Sequence, residues 1–244
     1  MPKIALVTGA NRGLGLEIAR QLAQAGHTVV IGARDPRKGE EAAELLRTDG
    51  LDAETIEIDV DDPGSVEHAA QELRDRRGAL DVLVNNAGIA PESRADSAEA
   101  LSASLFRETF ETNLFGAVSV TEQFLPLLRE STAGRVVNVS TTMASLADQS
   151  DPDSPYYAAV VPGYQASKAA LNSVTVGLSK LLADTPIKVN AVCPGFVQTD
   201  VTPINRDQAP LTPAEGARAV VRYALIDEAG PSGGFFDYEG PVAW

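Results

Sequence analysis

Residues 3–26 read "KIALVTGANRGLGLEIARQLAQAG", and this stretch decides the fold. A short β-rich run passes straight into a glycine-rich turn, and then into a pattern where Leu14, Ile18 and Leu22 recur at helical spacing. Gly26 is placed as a C-cap. Glycines at positions 9, 13 and 15 suit a tight turn, a close approach of backbone to a pyrophosphate and close packing of helix on strand. The helix that follows offers unpaired N–H groups and a partial positive charge at its start. The spacing is Gly-x-x-x-Gly-x-Gly, not the commoner Gly-x-Gly-x-x-Gly, and a glycine-rich turn alone is a weak sign. Its place after the first strand makes it a sign of dinucleotide binding.

The same alternation continues to the end of the chain. Further β-rich runs are "HTVVIGA", "AETIEIDV", "LDVLVNN", "GRVVNVS", "IKVNAVC" and "GGFFDY". Helix starts are marked by Pro63 after Asp62 and by Thr212-Pro213-Ala214-Glu215, a capping box with proline at the first helical position. Strand and helix in turn imply a parallel sheet covered on both faces. The expected fold is α/β: one Rossmann-type, doubly wound sheet of about seven strands, in one domain over residues 1–244. The irregular stretches are 89–100, 143–163 and 196–212, and loops of that length usually carry function.

Composition narrows the function. The net charge of −14 argues against nucleic acid and anionic membranes, which select basic patches. Cys193 is the only cysteine, so no internal disulfide forms and a cytoplasmic setting is expected. With His27 and His68 the only histidines and no Cys/His cluster, no metal site is expected. No apolar run is long enough to span a membrane. Cys193 itself reads as a small buried filler at a strand end.

Two features bear on chemistry. The second strand ends in Ala33 and then Arg34, where an NAD-binding protein carries an acid for the ribose 2′-hydroxyl. Arg34, with Arg12 of the glycine loop, is suited to clamp a 2′-phosphate, whereas Asp35 turned inward would favour NAD. In "PGYQASKAALN", residues 162–172, Tyr164 and Lys168 stand at i and i+4, on one helical face. From this stretch alone, the pair is either a tuned acid or a packed tyrosine beside a solvated lysine.

With "TGANRGLG", "LDVLVNNAG", "ETNLFG", "GRVVNVS", "YQASK" and "NAVCPGFVQT" in this order, the chain resembles the short-chain dehydrogenase/reductase family over nearly its whole length. The "ARD" after the second strand, the longer segment before the tyrosine and the aromatic tail resemble the NADPH-dependent carbonyl reductase branch. The resemblance implies that Tyr164 donates the proton, that Lys168 binds the nicotinamide ribose and depresses the pKa of Tyr164, and that Asn113 holds a relay water. It implies cofactor contacts from Gly9, Asn11, Arg12, Gly13, Leu14 and Gly15, from Arg34, from Asp59 and Val60 at the adenine, and from Asn86, Ala87 and Gly88. After the Pro194-Gly195 turn, Val197 and Thr199 would hold the carboxamide. Bringing a phenol from about 10 toward 7 takes roughly 4 kcal/mol of preferential phenolate stabilisation, within reach of a nearby lysine and an oxidised nicotinamide in a dry cleft. One position departs from the pattern: the serine that binds the substrate carbonyl is replaced by Thr141, with Ser140 beside it as the other candidate hydroxyl.

The expected activity is NADPH-dependent reduction of a small or medium-sized apolar ketone or aldehyde. The alternatives are an NAD(P)-dependent alcohol dehydrogenase running in the oxidative direction, and a non-catalytic dinucleotide-binding regulator. The substrate is a small carbonyl or alcohol, walled by the loops, with a substrate loop at 196–212. Residues 144–163 are polar at Asp148, Asp151 and Asp153, then apolar at Tyr156, Tyr157, Val160 and Val161. Folded back over the helix face that many family members use to dimerise, this segment would favour a monomer over a homodimer.

Overall fold

In the strands of the sheet, successive side chains point to opposite faces, and the sequence fills both with apolar residues. The computed structural model describes residues 2–94 and 101–244; part of the expected loop 89–100 falls outside the described residues. Seven parallel strands, β1 (Ile4–Thr8), β2 (Thr28–Ala33), β3 (Ala53–Glu57), β4 (Val82–Asn85), β5 (Arg135–Val139), β6 (Lys188–Val192) and β7 (Phe235–Phe236), form one sheet in the order β3-β2-β1-β4-β5-β6-β7. Ala5, Val7, Val29 and Ile31 face one layer while Ile4, Leu6 and Val30 face the other, the two-residue period of a strand buried on both sides.

The first layer holds α1 (Gly13–Gln24), α2 (Pro36–Thr48) and α9 (Pro213–Ala224); the second holds α3 (Pro63–Arg77), α5 (Ala117–Arg129) and α7 (Pro162–Leu181). Ile18 and Leu22 of α1, Leu46 of α2 and Val220 of α9 are fully buried, as are Leu73 of α3 and Phe124 of α5. Each such aliphatic side chain stabilises the fold by about 1.5–3 kcal/mol. The helix starts follow their cap signals. Asp62 accepts from Gly64 N at 2.9 Å, and Thr212 and Glu215 form the reciprocal capping box of α9. The shorter helices are α4 (Ala103–Phe110), which runs into a π-helical turn at Glu111–Gly116, α6 (Leu146–Ser150) and α8 (Asn205–Gln208). No helix among the described residues is long and apolar enough to cross a membrane.

The strand order reverses between β1 and β4, so the crevice beyond their carboxyl ends is where an open α/β sheet takes its ligand. The segment before α7 departs from expectation. Its apolar half does not cover a helix face: Tyr157 is 51% and Val160 77% exposed, and Tyr156 is only half-buried. The cause is Gln165, in the first turn of α7. It donates to Met143 O at 3.3 Å and Ala159 O at 3.2 Å and accepts from Val161 N at 3.1 Å, pinning both ends of the segment to the start of the helix. Phe115, Val118 and Leu181 stay exposed. The shielding is not there, and the ground for preferring a monomer goes with it.

Candidate active site

The glycine loop is built as its spacing predicts. Gly9 has a φ of 63°, and a Cβ there would stand 3.1 Å from Ala87 Cα. A Cβ on Gly15 would fall 2.5 Å from both Gly9 O and Asn86 Nδ2, so only glycine lets the helix sit this close to the strand. Gly13 faces open space, with only the Thr199 methyl 3.9 Å from where its Cβ would be. The start of α1 is thus open at Gly13, where the first-turn N–H groups could meet a pyrophosphate.

At the end of β2, Asp35 caps α2, accepting from Arg37 N at 3.0 Å and Lys38 N at 3.5 Å. It does not turn inward. Arg34 is exposed beside it, while Arg12 pairs with Asp200 of the loop after β6 at 2.9 Å. The expected Arg12–Arg34 clamp is therefore not formed: a carboxylate from the substrate loop holds one of its arms. Beyond β3, Asp59 accepts from Asp61 N at 3.2 Å, and Val60 packs so closely on the π-helical turn that a Cβ on Gly116 would lie 2.9 Å from Val60 O.

Three catalytic candidates converge beyond β4 and β5. A Cβ on Gly88 would stand 3.2 Å from Asn113 Oδ1 and 3.4 Å from Lys168 Nζ, so this glycine brings the backbone between the two side chains. Asn113 lies in the π-helical turn, a distortion frequent at functional sites. Its side chain is anchored at both ends: Nδ2 donates to Ile89 O at 2.9 Å and Ser167 Oγ at 3.1 Å, and Oδ1 accepts from Ile89 N at 2.8 Å. Lys168 is 3% exposed, donates from Nζ to Val139 O at 2.8 Å and lies 6.0 Å from the centroid of the Tyr164 ring.

The electrostatics of the pair differ from expectation. Burial lowers the pKa of Lys168 to about 8. Burial, followed by the charges of Cys193 and Glu92, pushes the Tyr164 phenol up, and Lys168 does not offset it. Cys193 is the buried residue expected at the end of β6, its thiol pushed up by burial.

The two candidate hydroxyls separate cleanly. Ser140 is buried and donates to Asn172 Oδ1 at 2.6 Å. Thr141 is half-buried, and its Oγ1 accepts from Met143 N at 3.3 Å, which leaves its own proton free. After β6, Gly195 turns with a φ of 84°, and Val197 is buried and bridged to Leu211. Thr199 and Val197 O are both held by Asn205 Nδ2, at 3.5 and 2.8 Å, and Pro194 is buried.

The short chain dehydrogenase family model matches residues 3–209. The chain belongs to that family. Among its relatives, (+)-neomenthol dehydrogenase of Arabidopsis thaliana is 35% identical with 96% of each chain aligned, and salutaridine reductase of Papaver bracteatum is 34% identical over 96% of this chain and 94% of the other. Of the solved structures, an NADPH-bound carbonyl reductase from chicken fatty liver superposes with a TM-score of 0.85 at 29% identity, over 100% of this chain and 99% of that one.

In this short-chain dehydrogenase Asn86, expected at the cofactor, ties β4 to β1 by donating to Thr8 O at 2.9 Å. Beneath the site, Asn85 Nδ2 donates to Asn138 Oδ1 at 2.8 Å and Asn138 Nδ2 to Thr175 Oγ1 at 2.9 Å, locking β4, β5 and α7 together. Two asparagines inside runs of valine were the available signal. Glu92, in a 3₁₀ turn at Pro91–Arg94, is 3% exposed and accepts from the backbone N of Tyr164. A lone Glu in a loop carried no signal at all. Among the described residues no cluster of His, Cys, Asp and Glu is fit to hold a metal.

Proposed function

We propose that this short-chain dehydrogenase reduces the carbonyl group of a small or medium-sized apolar ketone or aldehyde with NADPH, with Tyr164 as proton donor. One observation carries the reading: Tyr164 and Lys168 stand one helical turn apart at the ends of β4 and β5, against the backbone that Gly88 brings between Lys168 and Asn113. The backbone of Gly9, Asn11, Gly13, Leu14 and Gly15 suits the pyrophosphate, Asp59 and Val60 the adenine, and Ala87, Gly88, Pro194, Gly195, Val197 and Thr199 the nicotinamide half. When bound there, NADPH supplies the hydride for the carbonyl carbon.

The protein's part is proton transfer and orientation. Thr141 donates its free hydroxyl proton to the carbonyl oxygen and polarises it. Tyr164, held protonated by burial, gives its proton to the same oxygen as negative charge develops there. An alkoxide is a stronger base than a phenolate, so a raised phenol pKa is no obstacle in this direction. Lys168 orients the ribose and meets the phenolate that remains.

The choice of NADPH over NAD is supported by Asp35, which is committed to capping α2 and leaves Arg34 as the free charged group at the end of β2. The NADPH-bound carbonyl reductase among the structural neighbours points the same way. The test is consumption of NADPH and NADH against a panel of activated ketones. Tyr164→Phe should lower turnover by about 10²–10⁴-fold with NADPH affinity little changed. Retention of more than about a tenth of the activity removes Tyr164 from the role. NADPH that binds but is never consumed across the panel favours a regulator.

A further inference from the structure

Helix α7 begins without a cap of its own. Val161 offers no side-chain hydrogen bond to the first turn, and Pro162 contributes no N–H. The third residue of the helix is Tyr164, and its N–H is met by the Glu92 carboxylate, 72 residues earlier in the chain. The other carboxylate oxygen accepts from Thr109 Oγ1 of α4 at 3.3 Å, and Thr109 is fully buried. Gly163 makes room for this: a Cβ there would stand 3.1 Å from Glu92 Oε1 and 3.4 Å from Phe106 Cδ2. Among the described residues Glu92 is in no ion pair, and Arg94 turns away to donate to Asp200 O at 3.2 Å. A carboxylate this buried needs a reason.

We propose that Glu92 is a positioning residue for the catalytic tyrosine. Its carboxylate fixes the Tyr164 backbone at the start of α7, and its negative charge adds to burial in favouring the protonated, donating form of the phenol. The inference rests on Tyr164 being the proton donor of the reaction proposed above. The groups that face the phenol are few. Lys168 lies one turn along the same helix, Cys193 follows β6, and Glu92 sits in the 3₁₀ turn after β4. Thr109 of α4 meets the Glu92 carboxylate, and Thr142 of the turn after β5 meets Cys193 Sγ. Burial, then Cys193 and Glu92, all oppose a phenolate, and of these groups Glu92 alone also holds the Tyr164 backbone.

Glu92→Gln separates charge from geometry. The amide oxygen can still accept from Tyr164 N, and the amide N–H₂ can donate to Thr109 Oγ1, so the frame survives while the charge is lost. In the NADPH-loaded enzyme the alkaline limb of ketone reduction should move to lower pH, by roughly 0.5–1 unit. In the NADP⁺-loaded enzyme the acid limb of alcohol oxidation should move the same way. Ultraviolet titration of the phenolate with NADP⁺ present, taken as the difference from Tyr164→Phe, should show that shift without turnover. Glu92→Asp keeps the charge but shortens the reach, so it should leave the limbs near wild type and lower kcat several-fold, with the KM for NADPH unchanged. A folded Glu92→Gln with unmoved limbs overturns the proposal. If that variant does not fold, Glu92→Asp decides: moved limbs at wild-type kcat overturn it equally. Should Tyr164→Phe remain active, the parent reading fails instead, so the two failures are told apart.

Discussion

On the cofactor side of the cleft nearly every expected group hangs from a strand end or the first turn after it: Gly9 after β1, Arg34 after β2, Asp59 after β3, Ala87 and Gly88 after β4. On the substrate side the wall is made of connections, and these are held by contacts between distant parts of the chain: Arg12 to Asp200, Arg94 to Asp200 O, Gln165 to Met143 and Ala159, Trp244 O to Ala147 N. The first side is specified by local pattern plus the order of the strands. The second depends on which loop meets which, and no periodicity encodes that. Between them stands α7, whose Lys168 belongs to both sides, and it is the place where the comparison is most easily broken.

Lys168→Met should have the largest effect. Turnover should fall by about 10³-fold, with a weaker NADPH affinity as well, because one side chain serves orientation and charge together. The same change should stabilise the cofactor-free protein. The pKa of Lys168 is lowered to about 8 in the fold, against about 10.4 in the unfolded chain, so between those values the unfolded state binds more protons and wild-type stability rises with pH. Below about pH 8 the wild type carries the full cost of a buried ammonium, so the advantage of the methionine variant is greatest there and should shrink toward pH 10. Thermal melts of both proteins across that range would show it. An advantage that does not vary with pH would mean that Lys168 is not buried as a cation.

Thr141→Ala should come next, with kcat lower by roughly 10²-fold from loss of a positioned donor, while Thr141→Ser retains most activity. Ser140→Ala should behave differently. It strands Asn172 Oδ1 inside the fold, so it should lower stability by about 1–3 kcal/mol and leave kcat within a few-fold. If Ser140 is the damaging position for kcat and Thr141 is silent, the hydroxyl facing the substrate has been misassigned.

How far the sequence carried can be argued from these residues. The strand runs, the Asp62 and Thr212 caps and the glycine loop were legible because each is a short-range rule: period two, a capping oxygen, a missing Cβ. The choice of Thr141 over Ser140 was not, because it turns on Asn172, 32 residues away from Ser140. The bonds from the Asn113 side chain to the backbone of Ile89, 24 residues away, were equally hidden. The segment before α7 misled because an apolar stretch was read as needing a helix face to cover, whereas Gln165 holds it at the mouth with Val160 exposed. In each case the deciding contact is between parts of the chain that local pattern does not connect.

On the cofactor side, Arg34→Ala should raise the KM for NADPH about tenfold and leave that for NADH nearly unchanged, the scale of one charge-assisted contact to a 2′-phosphate. Ala33→Asp is a poorer test of the same idea. Ala33 is buried, its Cβ 3.2 Å from the place of a Gly39 Cβ, so an added carboxylate there disturbs packing as well as preference. Equal KM values for both cofactors in the wild type would mean that Arg34 only meets solvent.

The smallest effect should come from Asp200→Asn, which cuts an ion pair linking the two sides. Asp200 pairs with Arg12 and with Arg206, and all three side chains are substantially exposed. Pairs so exposed are worth about 0–1 kcal/mol, so stability should hardly change. The Arg206 hydrogen bond keeps the Asp200 carboxyl below the usual carboxylate range. Its contribution is therefore present above the ordinary carboxylate value of about 3.9 and fades only as pH falls through the depressed one, leaving melts between pH 5 and 8 insensitive to it. What should change is the freedom of Arg12. Released from the substrate loop, it can turn toward a 2′-phosphate beside Arg34, and the KM for NADPH should drop about twofold at low ionic strength. Screening weakens contacts between exposed charges, so the gain should vanish at high salt. An equal gain at both salt concentrations would mean that Asp200 acts through the shape of the 196–212 loop and not through its charge on Arg12, and the two sides of the cleft would then be coupled sterically.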